Sequence, residues 1–446
     1  MSSPAEIRPL DVPWYRRIGP SLITACVVIG PGSILTSSTV GANNGYAMLW
    51  VIVVSVAFML TFMTLGAKLG AVAGASPGDL MRRLAGRPLA ILVGLSVFFI
   101  SAAFQSGNNI GVGAAFETFI ESDAVVAGLV VAFNAVAIAF LFTFKNLYRM
   151  VERLMMTFVA VMLISFAVNL LSLRPDPVAM AEGFIPAVGQ LDVAVLGLIG
   201  TTFVITAAFY QSYLVRQKGW NAEQVRSSIL DARVGAVVMA SITVMLMSTA
   251  AAGLYTGSPV TLSDPVAVAD SLEPTFGTSG KLIFCVGLFS AAYSSFLVNS
   301  MIGGFILSDG LGLGSGAGDR WPRLLTVAAL LTGMIVGLAA MVFGFDRTPT
   351  IIAAQAVTVV GAPLVAGVLY WLSSSRRVMG DHVSGPGTRL FGGIGLVLLL
   401  AIAGNTALVK LPNMVADYRG RATSDAADEV RGEAANLAAV EDVDHP

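Results

Sequence analysis

The run VVIGPGSILTSS, residues 27–38, sets Gly30, Pro31 and Gly32 in the middle of an apolar segment long enough to cross a bilayer. Pro31 has no amide to offer the carbonyl one turn back, and glycine tolerates backbone angles that end a helix. A carbonyl or amide freed this way cannot face hydrocarbon, so something other than lipid must meet it. Helices interrupted at mid-membrane are a feature of secondary transporters, whose unwound backbone and half-helix ends bind the transported species. The plainer alternative is a proline kink that only shapes packing.

The rest of the chain supports a membrane setting. Of its 446 residues 56% are hydrophobic and 12% charged, about half the charged fraction of a soluble globular protein, and the mean hydropathy is +0.80. Apolar segments of roughly 20 residues recur almost to the C-terminus, unlike a signal peptide, which is one short apolar stretch. A net charge of −1 offers no basic field, so nucleic acid is not an expected partner. Cys26 and Cys285 both lie inside apolar segments and read as small core residues.

Eleven spans are expected, at approximately 19–41, 46–67, 89–115, 124–144, 154–173, 193–215, 234–255, 281–307, 324–344, 350–373 and 389–409. With the N-terminus in the cytoplasm, nineteen of the 26 Lys and Arg residues fall in inner segments. The outer loops hold only Arg174, Lys281 and Arg347, and the remaining four lie in the translocated tail. That asymmetry is the positive-inside pattern. It makes residues 1–18 a cytoplasmic segment, 19–409 the membrane domain and 410–446 an acidic exterior tail, read as disordered. The expected location is the plasma membrane, with the N-terminus cytoplasmic and the C-terminus exterior.

The stretch RIGPSLITACVVIGPGSILTSSTVGANNGYAMLW, residues 17–50, resembles the first span of the Nramp divalent-metal transporters. That family pattern has a Gly-Pro start, Asp-Pro-Gly-Asn at the break, and Gly-Tyr then Leu-Trp entering span two. AKLGAVAG (67–74), LFSAAYSSFLVNSMIGGFILSDGL (288–311) and AAQAV (353–357) extend the resemblance across the membrane portion. The resemblance implies an all-α membrane protein of LeuT-type fold: 11 transmembrane helices as a 5+5 inverted repeat plus one extra helix. Repeat one covers about 19–173, repeat two about 193–373 and the extra helix about 389–409, with spans one and six broken at the midplane.

The departures from the family pattern are chemical. Its metal-binding Asp and Asn of span one fall on Gly30 and Ser33. In span six, GTTFVITAAFYQS (200–212) puts Val204 at the metal-binding Met, Ile205 at the Pro and Thr206 at the His. In span three, AAFQSGNNIG (102–111) carries Gln105 and Asn108 where the family usually has carboxylates for proton passage. Gln355 in span ten alone keeps a residue of the family's metal site.

No Asp, Glu, Lys, Arg or His lies in the core of any expected span. Transition metals favour carboxylate, imidazole or thioether, and a dehydrated divalent ion in low dielectric needs compensating charge. A proton relay likewise uses ionisable side chains. The expected substrate site is therefore neutral: Gly30, Ser33, Thr201, Val204, Thr206 and Gln355, with Gln105, Asn108, Tyr210 and Gln211 as pathway candidates. Such a site suits a largely hydrated hard cation such as Mg2+, or an anionic group of an organic solute at the half-helix starting near Ser33. A membrane protein that kept the fold without transporting is a further alternative. No intramembrane Ser/His pair, Asp pair or metal-ligand cluster suggests an enzyme, and no cofactor is implied; the expected partners are a small solute or cation and the lipid bilayer.

Overall fold

Apolar runs of this length leave their backbone no partner in lipid except themselves. Accordingly every regular element among the described residues is a helix. The computed structural model describes residues 18–186, 193–262, 265–342, 347–406 and 408. In order the helices are α1 (Pro20–Val28), α2 (Pro31–Asn44), α3 (Leu49–Val72), α4 (Pro77–Ala85), α5 (Arg87–Glu117), α6 (Asp123–Thr143), α7 (Leu147–Ser172) and α8 (Pro177–Glu182). There follow α9 (Val193–Thr202), α10 (Ile205–Gln217), α11 (Val225–Leu254), α12 (Pro265–Leu311), α13 (Arg320–Val342), α14 (Arg347–Ser374), α15 (Arg376–Met379) and α16 (Pro386–Asn405).

Among the described residues nine helical segments are long and apolar enough to cross a bilayer, and α1 with α2, bent by 60° at their junction, make a tenth. The expected span at 350–373 falls within α14, whose 28 residues are long enough to cross a bilayer. The acidic tail and the N-terminal segment up to residue 17 lie outside the described residues.

Glycines set how closely the helices approach. A Cβ at Gly66 or Gly70 of α3 would stand 2.3 Å from the carbonyl oxygen of Ala208 or Ser212 on α10, so this face of α3 touches backbone directly. Gly41 of α2 meets the Met247 carbonyl of α11 at 2.2 Å in the same manner. Small residues permit this close packing in membranes, where van der Waals contact replaces the hydrophobic drive. The two contacts correspond under exchange of the halves: α2 packs on α11 as α10 packs on α3, and α7 packs on α12 as α14 packs on α5. The α5–α12 pair lies at the centre of this exchange.

The two ends of the bundle are distinct. At one, Lys145, Tyr148, Tyr213, Arg216 and Gln217 line a cavity of about 350 Å3, and Lys218 Nζ bonds both Glu152 Oε1 (2.7 Å) and the Ile18 carbonyl (3.0 Å). At the other, Asn43 and Val260 bond reciprocally (2.7 and 3.3 Å) and Trp50 N donates to the Gly183 carbonyl (2.9 Å). Loops expected on the same side of the membrane thus gather at the same end.

The helices outrun the expected spans, and this gives two carboxylates beyond the span cores a structural place. α11 begins at Val225 and α12 ends at Leu311, which brings Asp231 and Asp309 onto helices. Both carboxylates are buried. Asp231 Oδ1 accepts from Gly19 N (2.8 Å), and its Oδ2 accepts from Ser21 N (2.9 Å) and Gln211 Nε2 (3.1 Å). Asp309 accepts from Ser76 Oγ (2.6 Å), Gly78 N (2.7 Å) and the Tyr213 hydroxyl (2.7 Å), with Arg82 3.8 Å away. A buried carboxylate persists when its oxygens are hydrogen-bonded. Here each one joins helix ends rather than standing in a mid-membrane relay.

Candidate substrate site at the helix breaks

α1 ends at Ile29 (φ −91°, ψ 86°), and Gly30 (φ −123°, ψ −176°) caps α2 without a side-chain bond. The angles at Gly30 are extended ones open to any residue, so what glycine provides here is space. A Cβ would lie 3.1 Å from Ser295 Oγ and 3.5 Å from Asn108 Oδ1. α9 ends at Thr202, Phe203 and Val204 are non-helical, and Val204 caps α10, also without a side-chain bond.

In an unbroken helix the Val27 carbonyl would accept from residue 31, but Pro31 carries no N–H. Ser295 Oγ on α12 donates to it instead, at 3.3 Å. The Val28 carbonyl receives Ser33 Oγ at 2.5 Å and Gly30 N at 3.2 Å. The Thr201 carbonyl, freed at the end of α9, also lies 3.3 Å from Ser33 Oγ. Ser33 has one proton for two carbonyls. Above it Thr36 Oγ1 and Thr201 Oγ1 stand 3.0 Å apart. The result is a cluster of neutral oxygens with more acceptors than hydrogens to fill them, between α1–α2, α5, α9 and α12.

Gly30, Ser33, Thr201 and Asn108 are therefore together. Val204 is buried at the second break; Thr206, in the first turn of α10, is buried with its hydroxyl unpartnered and makes no hydrogen bond to the cluster. Tyr210 stacks on Tyr213 at 5.8 Å further along α10. Gln105 lies beneath Asn108, accepting from its Nδ2 at 3.3 Å, which turns Asn108 Oδ1 toward Gly30. The side chain of Gln355, on α14, lies outside the described residues. Gln211 accepts at Oε1 from Thr24 Oγ1 (2.5 Å) and donates from Nε2 to Asp231, so it clasps α1 to α10 and α11.

Ser295 is a site residue that the sequence reading quoted, in SSFLVNS, without assigning. The doubled serine was its signal. Asn134 on α6 donates from Nδ2 to Asn109 Oδ1 at 2.7 Å. Among the described residues no three His, Cys, Asp or Glu side chains gather where a metal could be held.

Residues 21–409 match the family described as natural resistance-associated macrophage protein-like, Nramp. The chain belongs to the Nramp family. It is 26% identical over 402 residues to the divalent metal cation transporter MntH of Deinococcus radiodurans, covering 87% of this chain and 88% of that one. Against the MntH of Mycobacterium tuberculosis H37Rv it is 24% identical over 401 residues, 87% and 90% covered. Its structure superposes on the Eremococcus coleocola manganese transporter with a TM-score of 0.75 at 19% identity, over 90% of this chain and 88% of that one. It also superposes on MhsT in complex with L-phenylalanine, with a TM-score of 0.57 at 16% identity over 86% and 98% of the two chains. The fold is thus LeuT-type, and this Nramp chain is an integral membrane protein of a transporter family rather than an enzyme.

Proposed function

We propose that this Nramp protein is a secondary transporter whose cargo is a divalent cation taken as a largely hydrated hard ion, of the Mg2+ class. The relatives named as divalent metal cation transporters support a metal cargo. The acceptor-rich cluster around Ser33 carries the reading. Three freed carbonyls and the hydroxyls of Ser33, Thr36, Thr201 and Ser295 present oxygen dipoles with no carboxylate, thioether or imidazole among them. Oxygen donors suit hard cations, and Mg2+ keeps several of its waters, which lessens the charge the protein must neutralise. In this reading Gly30 and Val204 stand where the usual transition-metal ligands are lost, and Thr206 and Gln355 remain proposed ligands of the same hydrated ion.

A second reading rests on the uncapped starts of α2 and α10, whose amides and positive dipole ends suit the anionic group of an organic solute. The proposed setting is the plasma membrane with the basic end of the bundle cytoplasmic. Flux into proteoliposomes separates the readings. Saturable Mg2+ uptake supports the first, uptake confined to an organic anion or zwitterion supports the second, and no flux of either shows a protein that keeps the fold without transport.

A further inference from the structure

The cavity at the basic end of the bundle lies apart from the helix breaks, at the other end of α10 and about 18 Å along that helix from Val204. Its volume of about 350 Å3 is that of a small-molecule pocket. Lys145, Tyr148, Tyr213, Arg216 and Gln217 line it, together with the loop 315–318 between α12 and α13. Among the described residues neither Lys145 nor Arg216 forms an ion pair. The carboxylates nearby are engaged: Glu152 holds Lys218 (2.7 Å), Asp309 takes the Tyr213 hydroxyl (2.7 Å) and Asp319 accepts the Gly316 amide (2.8 Å). Gln217 adds an amide whose nitrogen and oxygen are both buried without a hydrogen bond, and the Tyr210 hydroxyl beside it is likewise unbonded. Tyr148 directs its hydroxyl to Glu152 and Tyr213 to Asp309, so both give the cavity ring surface.

We infer that this cavity binds a small phosphate monoester carrying a flat organic group, of the nucleoside monophosphate class. Two unpaired cations repel the proposed cargo and match a phosphate monoester, whose charge near pH 7 is about −1.5 to −2. Arg216 supplies the planar fork that takes phosphate oxygens bidentately, and Lys145 a second point charge. The first turn of α7 brings the positive end of a 26-residue helix to the same space. The last turn of α10 opposes it with a negative end, which Arg216 on that turn offsets. Gly316 and Gly318 keep the loop short of side chains, and a Cβ at Gly318 would meet nothing within 4 Å. A planar base lies against the tyrosine rings, and the Gln217 amide, with a donor and an acceptor to spare, pairs with its polar edge. An occupant ties α7 to α10 and to the α12–α13 loop.

The test is binding of AMP to the purified full-length protein, read by calorimetry and by thermal stability at constant ionic strength balanced with chloride. The parent is expected to bind AMP saturably, and inorganic phosphate about tenfold or more weakly because it reaches neither ring. Lys145→Gln and Arg216→Gln are each expected to lose about tenfold in affinity for AMP. Arg149→Gln, exposed on α7 and outside the cavity lining, is expected to keep the parent's affinity. No saturable AMP binding overturns the inference, and so does AMP binding that survives in both glutamine variants or that inorganic phosphate equals. Should Arg216→Gln not elute as a folded species, Lys145→Gln, at an exposed position, makes the comparison. The readout is binding, so absence of Mg2+ flux would count against the proposed cargo and leave this site standing.

Discussion

Replacing Asp231 with alanine removes the side chain that, among the described residues, caps α1. Gly19 offers none, and Pro20 at the first helical position has no amide, so Asp231 on α11 accepts the Gly19 and Ser21 amides across more than two hundred residues of chain. Its loss orphans those two buried N–H groups and the Gln211 Nε2. Leaving a buried donor unsatisfied costs about 1–3 kcal/mol, and the three losses share one site, so we expect about 3–5 kcal/mol of destabilisation. Asp231→Asn is milder. One amide oxygen still accepts a backbone N–H, and Gln211 turns its own amide to accept from the new NH2 group. Thr24, whose hydroxyl also reaches the Pro20 carbonyl at 3.2 Å, then serves as acceptor. One backbone donor is left over, for about 1–2 kcal/mol. Reversible unfolding in mixed detergent, with the exposed Asp381→Ala as control, gives the ranking. If Asp231→Ala unfolds with Asp381→Ala, or Asp231→Asn costs as much as Asp231→Ala, the trans-cap reasoning is wrong.

Three further outcomes follow from the same geometry. Calorimetry on the parent should find no micromolar Mn2+, Fe2+ or Cd2+ binding, because no metal-ligating cluster exists among the described residues; micromolar Mn2+ binding abolished by Gln355→Ala would contradict it. Gly30→Asp with Ser33→Asn and Val204→Met should fold, since Gly30 has extended angles and the new Cβ meets a hydroxyl at 3.1 Å, and should gain Mn2+ binding at millimolar concentration or tighter; a monodisperse triple variant without it would show that these positions do not converge. Gly70→Leu should lower the yield of folded protein sharply and Gly367→Leu, with open space around its Cα, should not, because a Cβ at Gly70 meets the Ser212 carbonyl at 2.3 Å; equal detergent-elution profiles would refute close α3–α10 contact as the reason.

Some of this architecture was legible along the chain and some was not. The first break announces itself, because Gly30, Pro31 and Gly32 remove both a donor and the constraint on backbone angles. The second does not: TTFVIT holds neither glycine nor proline, and only the resemblance placed a break there. Ser33 and Thr201 could be named from sequence, yet that one hydroxyl serves carbonyls from two different broken helices depends on their meeting in space. Asp231 sits in SSILDARVG between Arg226 and Arg233, a setting that reads as an inner loop. A cap supplied by a distant helix leaves no local signature, whereas Ser76, which accepts from Asp79 N three residues on, is legible as one. The bonds of Gln211 are illegible for the same reason, its partners being twenty and nearly two hundred residues away.

The central claim is that neutral oxygens at the two breaks select a hydrated hard cation. It is tested most directly by initial rates of Mg2+ uptake into proteoliposomes carrying the parent or Ser33→Ala, with Mn2+ as competitor. The account predicts saturable uptake by the parent, a clear loss of rate in Ser33→Ala, and no inhibition by micromolar Mn2+. Uptake unchanged in Ser33→Ala, or Mn2+ that displaces Mg2+ at micromolar concentration, would contradict it.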